Sequence, residues 1–90
     1  MAKGPVIVGY TPHFSRALNG LPNQIQDLLT KKDSVFRENP FDGRLKTHQL
    51  RGKLKGYWSY SVNYHYRVLF KFVSDSNVIY IDVGTHEIYG

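Results

Sequence analysis

The chain has 90 residues, 41% of them hydrophobic, with no cysteine and a net charge of +5. That is enough for one small domain, residues 1–90, with a single core, and the lack of cysteine excludes disulfides and thiolate metal sites. No apolar run approaches a membrane span and MAKGPVIVGY carries no signal-peptide pattern, so a cytoplasmic protein with no membrane contact is expected.

Pro5 to Tyr10, PVIVGY, reads as a short first strand whose buried face the pattern leaves open. Thr11-Pro12 then reads as a helix start, with threonine as N-cap and proline in the first turn. Phe14, Ala17, Leu18 and Leu21 make one apolar stripe that Asn19-Gly20 ends or kinks. Pro22 restarts a helix whose stripe is Ile25, Leu28, Leu29, Val35 and Phe36. Lys32 falls on that stripe, so a bend or an end is expected near Asp33. Glu38-Asn39-Pro40 closes the segment, because the residue before a proline avoids helix.

Pro40 to Gly56, PFDGRLKTHQLRGKLKG, reads as a loop-rich connector pinned by Leu45, Leu50 and Leu54. No acidic residue occurs between Asp42 and Asp75, yet this interval holds seven of the twelve lysines and arginines. They are Arg44, Lys46, Arg51, Lys53, Lys55, Arg67 and Lys71, with His48 and His65 among them. A field of one sign with interleaved aromatics suits nucleic acid or an acidic protein partner.

Three β-rich runs follow, at WSYSV, YRVLFKF and VIYIDVG. Their alternation makes them antiparallel strands with one apolar face. A slip of one residue would bury Arg67 and Lys71. The expected first hairpin therefore has the loop Tyr64-His65-Tyr66, with Asn63 opposite Arg67. The expected second hairpin pairs Val73 with Val78, Phe72 with Ile79, Phe70 with Ile81 and Val68 with Val83. Trp58, Tyr60, Val68, Phe70, Phe72, Ile79 and Ile81 should then be buried against both helices. On the polar face Arg67 lies opposite Gly84, which leaves space beside the guanidinium. His86 lies one pleat further on, near His65, and Ser61 and Asn63 complete the group. An arginine fork beside an imidazole offers fixed positive charge and a proton near neutral pH. The alternative is an ordinary wet face of a two-sided sheet. The four histidines have no metal-ligand spacing, and no cofactor is indicated.

The phrases NPFDGRLKTHQLRGKLKGYWSYSV, YRVLFKF and VIYIDVGTHEIYG resemble the RelE/ParE superfamily of toxins from type II toxin–antitoxin systems. The chain looks most like the RelE/YafQ/YoeB-type mRNA interferases. The resemblance implies an α+β fold, β-α-α-β-β-β, with two N-terminal helices on one face of a mainly antiparallel sheet. It also implies metal-independent cleavage of mRNA on the ribosome by 2′-OH attack, and a cognate antitoxin as partner. By resemblance His86 matches a general acid or phosphate contact, and Tyr89 an aromatic that orients base or phosphate. Arg67 matches the catalytic arginine of YoeB-like members, and His48 a histidine of YafQ-like members. His65 stands where YafQ-like members carry an acid, and the connector holds no glutamate base of the YoeB type. Arg44, Lys46, Arg51, Lys53 and Lys55 would bind RNA and ribosome. The rival within the superfamily is a ParE-like gyrase inhibitor without nuclease activity, or a decayed toxin that only binds its antitoxin.

Overall fold

The computed structural model describes residues 4–89. Strand β1 (Ile7–Tyr10) leads into helix α1 (Pro12–Asn19) and helix α2 (Asn23–Glu38), followed by strands β2 (His48–Gln49), β3 (Trp58–Ser61), β4 (Arg67–Ser74) and β5 (Asn77–Gly84). The strands form one sheet in the order β1-β5-β4-β3-β2, antiparallel except for β1 on β5. This is the expected α+β architecture with one addition. The connector contributes a two-residue strand, β2, between two 3₁₀ turns at Gly43–Leu45 and Gly52–Leu54.

Local chemistry sets the helix ends. The Phe14 N–H donates to Thr11 Oγ1 at 3.0 Å, so the threonine caps α1. The expected break near Asp33 does not occur; α2 runs on to Glu38. Asp33 lies four residues after Leu29 and three before Phe36, on the face that meets the sheet. Its carboxylate is satisfied there. Tyr80 Oη donates to Asp33 Oδ1 at 2.8 Å, and Arg37 Nε donates to Oδ2 at 2.8 Å. Tyr60 Oη donates to Tyr80 Oη at 2.9 Å, and Arg37 Nη2 donates to Tyr10 Oη at 2.8 Å. A polar residue on the packing stripe is tolerated because every partner is in place.

The core lies between the helices and one sheet face. Phe14, Leu29 and Phe36 meet Tyr60, Val68, Phe70, Val78, Tyr80 and Val83, all buried, with Leu45 of the connector. The Phe36 ring centre is 4.8 Å from that of Tyr60, 4.9 Å from Phe70 and 5.6 Å from Tyr80, an aromatic cluster at stacked and edge geometries.

Pairing departs from the expected register in two places. Ser61, not Asn63, faces Arg67, so the β3–β4 loop spans five residues. Asn63 explains this: its Oδ1 accepts from the N–H groups of His65 and Tyr66 at 2.9 and 2.8 Å, closing a turn two residues longer and shifting β3 by two residues against β4. In the β4–β5 hairpin, Arg67–Gly84 and Val68–Val83 pair as expected, but Phe70 faces Tyr80 and Phe72 faces Val78. The ladder shifts at Val73 on β4 and at Ile81 on β5, one extra residue in each strand. The two bulges cancel, so both ends keep the expected register while the middle is offset by one. Tyr80 is therefore buried where Ile79 and Ile81 were expected; those two are half-buried outside the core cluster.

Burial pushes the phenols of Tyr60 and Tyr80 well above the usual tyrosine range, and Asp33 nearby reinforces the shift. In the unfolded chain both would ionise near pH ~10. Their contribution to stability is thus complete below that pH and is lost as pH rises through and beyond it. The urea midpoint should fall steeply above pH ~10, and Tyr80→Phe should flatten that fall. A wild-type midpoint that stays level into strong alkali would contradict the burial of this pair.

Candidate active site

The sheet face away from the helices carries Ser59 and Ser61 on β3, Arg67, Leu69 and Lys71 on β4, and Asp82 and Gly84 on β5. After Gly84 the strand does not continue. His86–Tyr89 form a 3₁₀ turn, closed by Ile88 N–H donating to Thr85 O at 3.1 Å. The turn folds back over this face. A Cβ on Gly84 would stand 2.8 Å from Ile88 Cγ2, so the space left by the glycine is occupied by isoleucine rather than left open beside Arg67.

This turn delivers two of the expected residues. Arg67 Nε and Nη2 both reach His86 Nε2, at 3.4 and 3.3 Å, and Arg67 Nη1 donates to Ser61 Oγ at 2.8 Å. A guanidinium can only donate, so His86 accepts at Nε2 in this arrangement. Tyr89 Oη lies 2.6 Å from Ser59 Oγ, and its ring centre is 5.6 Å from that of His86. Ser59 is fully buried beneath it.

His48 arrives from the connector by strand pairing. It lies directly opposite Ser59 on β3, and cross-strand partners share a face. Its Nδ1 is 3.0 Å from Lys46 O. Lys46 adopts a left-handed conformation, φ 53°, which turns that carbonyl toward the ring. Arg67, His86, Tyr89 and His48 thus form an arc across one face, linked through Ser61 and Ser59. His65 is placed elsewhere than expected. It sits at the exposed tip of the β3–β4 loop against the Tyr64 ring, and the described contacts join it to neither Arg67 nor His86. His13, at the start of α1, reaches Asp82 with Nε2 3.2 Å from Oδ1.

The basic residues divide into two groups. Arg51, Lys55 and His48 line a cleft of about 470 Å³ at the β2 edge. Arg44 and Lys46 line another, of about 300 Å³, that Arg67 also borders. Lys53, exposed, sits in the Gly52–Leu54 turn between Arg51 and Lys55. Arg44 is engaged by Asp42 at 2.9 Å, and its hydrogen bonds hold the Asp42 carboxyl down at about 2. Sequence reasoning missed Ser59, which anchors Tyr89, and Lys32, which α2 brings to the second cleft. Lys32 had one visible signal, a lysine on an apolar stripe.

A half-exposed arginine fork against an imidazole, with a phenol beside them and two clefts lined by cations at Arg67 and at His48, can bind a phosphodiester and exchange a proton with it. Among the described residues no group of three His, Asp or Glu side chains is placed to hold a metal ion, and no helix is long and apolar enough to cross a membrane.

A sequence profile described as the RelE-like toxin of the type II toxin–antitoxin system HigB matches residues 18–86. Among solved structures, YafQ from E. coli strain BL21(DE3) matches with TM-score 0.76 and 19% identity, over 93% of this chain and 97% of YafQ. A chain of the RelBE2 toxin–antitoxin complex from Mycobacterium tuberculosis matches with TM-score 0.77 and 24% identity, over 92% and 93%. A chain of the archaeal RelE–RelB complex from Pyrococcus horikoshii OT3 matches with TM-score 0.72 and 15% identity, over 90% and 94%. A search against curated protein sequences returns no match. At these identities the structural likeness speaks for the fold.

Proposed function

The chain belongs to the HigB-like, RelE-like toxins of type II toxin–antitoxin systems, and from that premise we propose that it is an endoribonuclease that cleaves mRNA on the ribosome. The observation that carries this reading is the Arg67–His86 contact on an exposed face. In the proposed reaction the ribose 2′-OH attacks the adjacent phosphorus and the P–O5′ bond breaks. The products are a 2′,3′-cyclic phosphate and a 5′-hydroxyl end.

Arg67 has a double task. With RNA absent its N–H groups rest on His86 Nε2 at long range. A phosphate oxygen is a better acceptor, because the bond is charge-assisted. As the guanidinium turns to the phosphate, Nε2 is freed to take up a proton from solvent and to pass it to the departing O5′. The interaction with Arg67 then strengthens as negative charge gathers on the five-coordinate phosphorus. Tyr89, held by Ser59, orients the base or phosphate beside the imidazole. His48, paired across the strands with Ser59, receives the 2′-OH proton. The reaction so drawn needs no metal. His65 has no part in it.

Arg44, Lys46, Arg51, Lys53 and Lys55 supply the field that docks the protein on ribosomal RNA. Two structural relatives are toxin–antitoxin complexes, and a cognate antitoxin is the protein partner expected here.

The reading is tested by induced expression in a bacterial host, followed by primer extension on a reporter mRNA. The expected result is growth arrest with discrete 5′ ends inside the reading frame. Growth arrest with intact mRNA would sink the nuclease and favour a ParE-like gyrase inhibitor. No growth effect would point to a toxin that only binds its antitoxin.

A further inference from the structure

Arg67 has a second neighbourhood. Besides His86, it borders the cleft of about 300 Å³ whose walls include Lys32, Arg44, Lys46, Asn63 and Tyr64. We propose that this cleft is a nucleotide subsite next to the scissile phosphate. Lys32 and Lys46 hold the neighbouring phosphate of the strand, and the Tyr64 ring takes the base between them. The proposal rests on the ribonuclease reading above and extends it by one nucleotide.

Charge is the first argument. Four cations line the cleft and no acid does. Asp42 answers Arg44 from outside it. Among the described residues Lys32, Lys46 and Arg67 have no ion-pair partner. Lys32 is half-buried on the stripe side of α2. The acid whose charge reaches it, Asp42, is already hydrogen-bonded to Arg44. Lys46 adds a left-handed backbone that a non-glycine residue adopts at a cost, a feature that clusters at ligand sites.

The tyrosine is the second argument. Tyr64 is 85% exposed, although a ring of that size ordinarily finds cover. Its backbone is not loose, since Asn63 Oδ1 ties down the N–H groups of His65 and Tyr66 on its far side. An aromatic face presented on a fixed loop at the rim of a cationic cleft is a stacking platform, and stacking accepts any base. The volume, at the low end for ligand pockets, suits one nucleotide. Ser61 Oγ, which accepts from Arg67, also lines the cleft, so the guanidinium is anchored at the boundary of the two sites.

The test uses the whole chain, labelled with ¹⁵N and titrated with adenosine 3′,5′-bisphosphate or with inorganic phosphate. Amide shifts are expected in residues 44–46 and 61–67 as well as 84–89, with the bisphosphate bound about tenfold more tightly than phosphate. Tyr64→Ala should reduce that preference severalfold, leaving the part that the second phosphate contributes, while phosphate binding persists. Lys32→Gln should weaken the bisphosphate severalfold and lower its salt dependence by about one charge. Shifts confined to residues 84–89, with both variants titrating like the wild type, would overturn the subsite and leave the nuclease reading intact. Shifts in the cleft while Arg67 and His86 stay silent would overturn the proposed adjacency. The nuclease reading is judged separately, by primer extension on the same variants. No response at millimolar bisphosphate in a protein that still cleaves mRNA would overturn the subsite alone.

Discussion

His86→Gln should lower the rate of mRNA cleavage by roughly 10²–10⁴-fold, the usual contribution of a positioned proton donor. Glutamine keeps the reach and a hydrogen bond to Arg67, but it carries no proton that can be given up near neutral pH. Ribosome affinity should change little, because the docking field proposed above is that of the connector lysines and arginines. Arg67→Ala should produce a loss of similar size, since its bond to phosphate strengthens toward the transition state. Neither variant should unfold the domain, as Arg67 and His86 meet on the exposed face. Single-turnover cleavage on programmed ribosomes, with binding measured separately, reads both quantities. Full cleavage by His86→Gln would move the chemistry to His48 and Tyr89.

Phe70→Ala should destabilise the fold by about 3–5 kcal/mol. Phe70 is fully buried, and its ring meets those of Phe36, Tyr60, Phe72 and Tyr80. Native domains hold only about 5–15 kcal/mol in total, so this one residue carries a large share. Thermal unfolding followed by circular dichroism should show a midpoint lowered by more than 10 °C or so, or no cooperative transition. A drop of only a degree or two would mean that the aromatic cluster closes over the gap.

Alternation and turn chemistry were enough to pair Arg67 with Gly84 and Val68 with Val83, because burying Arg67 or Lys71 is the costlier choice. The same logic failed between them. Ile79 and Ile81 outrank Tyr80 as apolar residues, and nothing local shows that Tyr80 has Asp33 waiting on α2 for its hydroxyl. The bend expected near Asp33, because Lys32 falls on the apolar stripe, does not occur: α2 runs on to Glu38, and Asp33 finds its partners on the sheet. At the site, Arg67 and His86 were legible as neighbours because period-two geometry places them on one face. The 3₁₀ turn that joins them was not, since Gly84 reads equally well as a vacancy or as a seat for Ile88. His65 falls near the site only in a loop two residues shorter than the one Asn63 closes. Lys32 needed the tertiary fold, because only α2 lying along the connector brings it near Arg67.

The paired bulges give the hairpin an unusual tolerance to changes of chain length. Val73 and Ile81 are each surplus to the ladder. Deleting Ile81 would close β5 into a regular strand with Tyr80 still inward and Gly84 still opposite Arg67. Deleting Lys71, which pairs with Ile79 between the two bulges, would shift the next residues of that strand by one and turn Phe72 outward. Loss of one residue is therefore absorbed at two points of this hairpin and is ruinous between them. Natural variation in the length of related chains should concentrate at Val73 and Ile81, on either side of the span that holds the aromatic core.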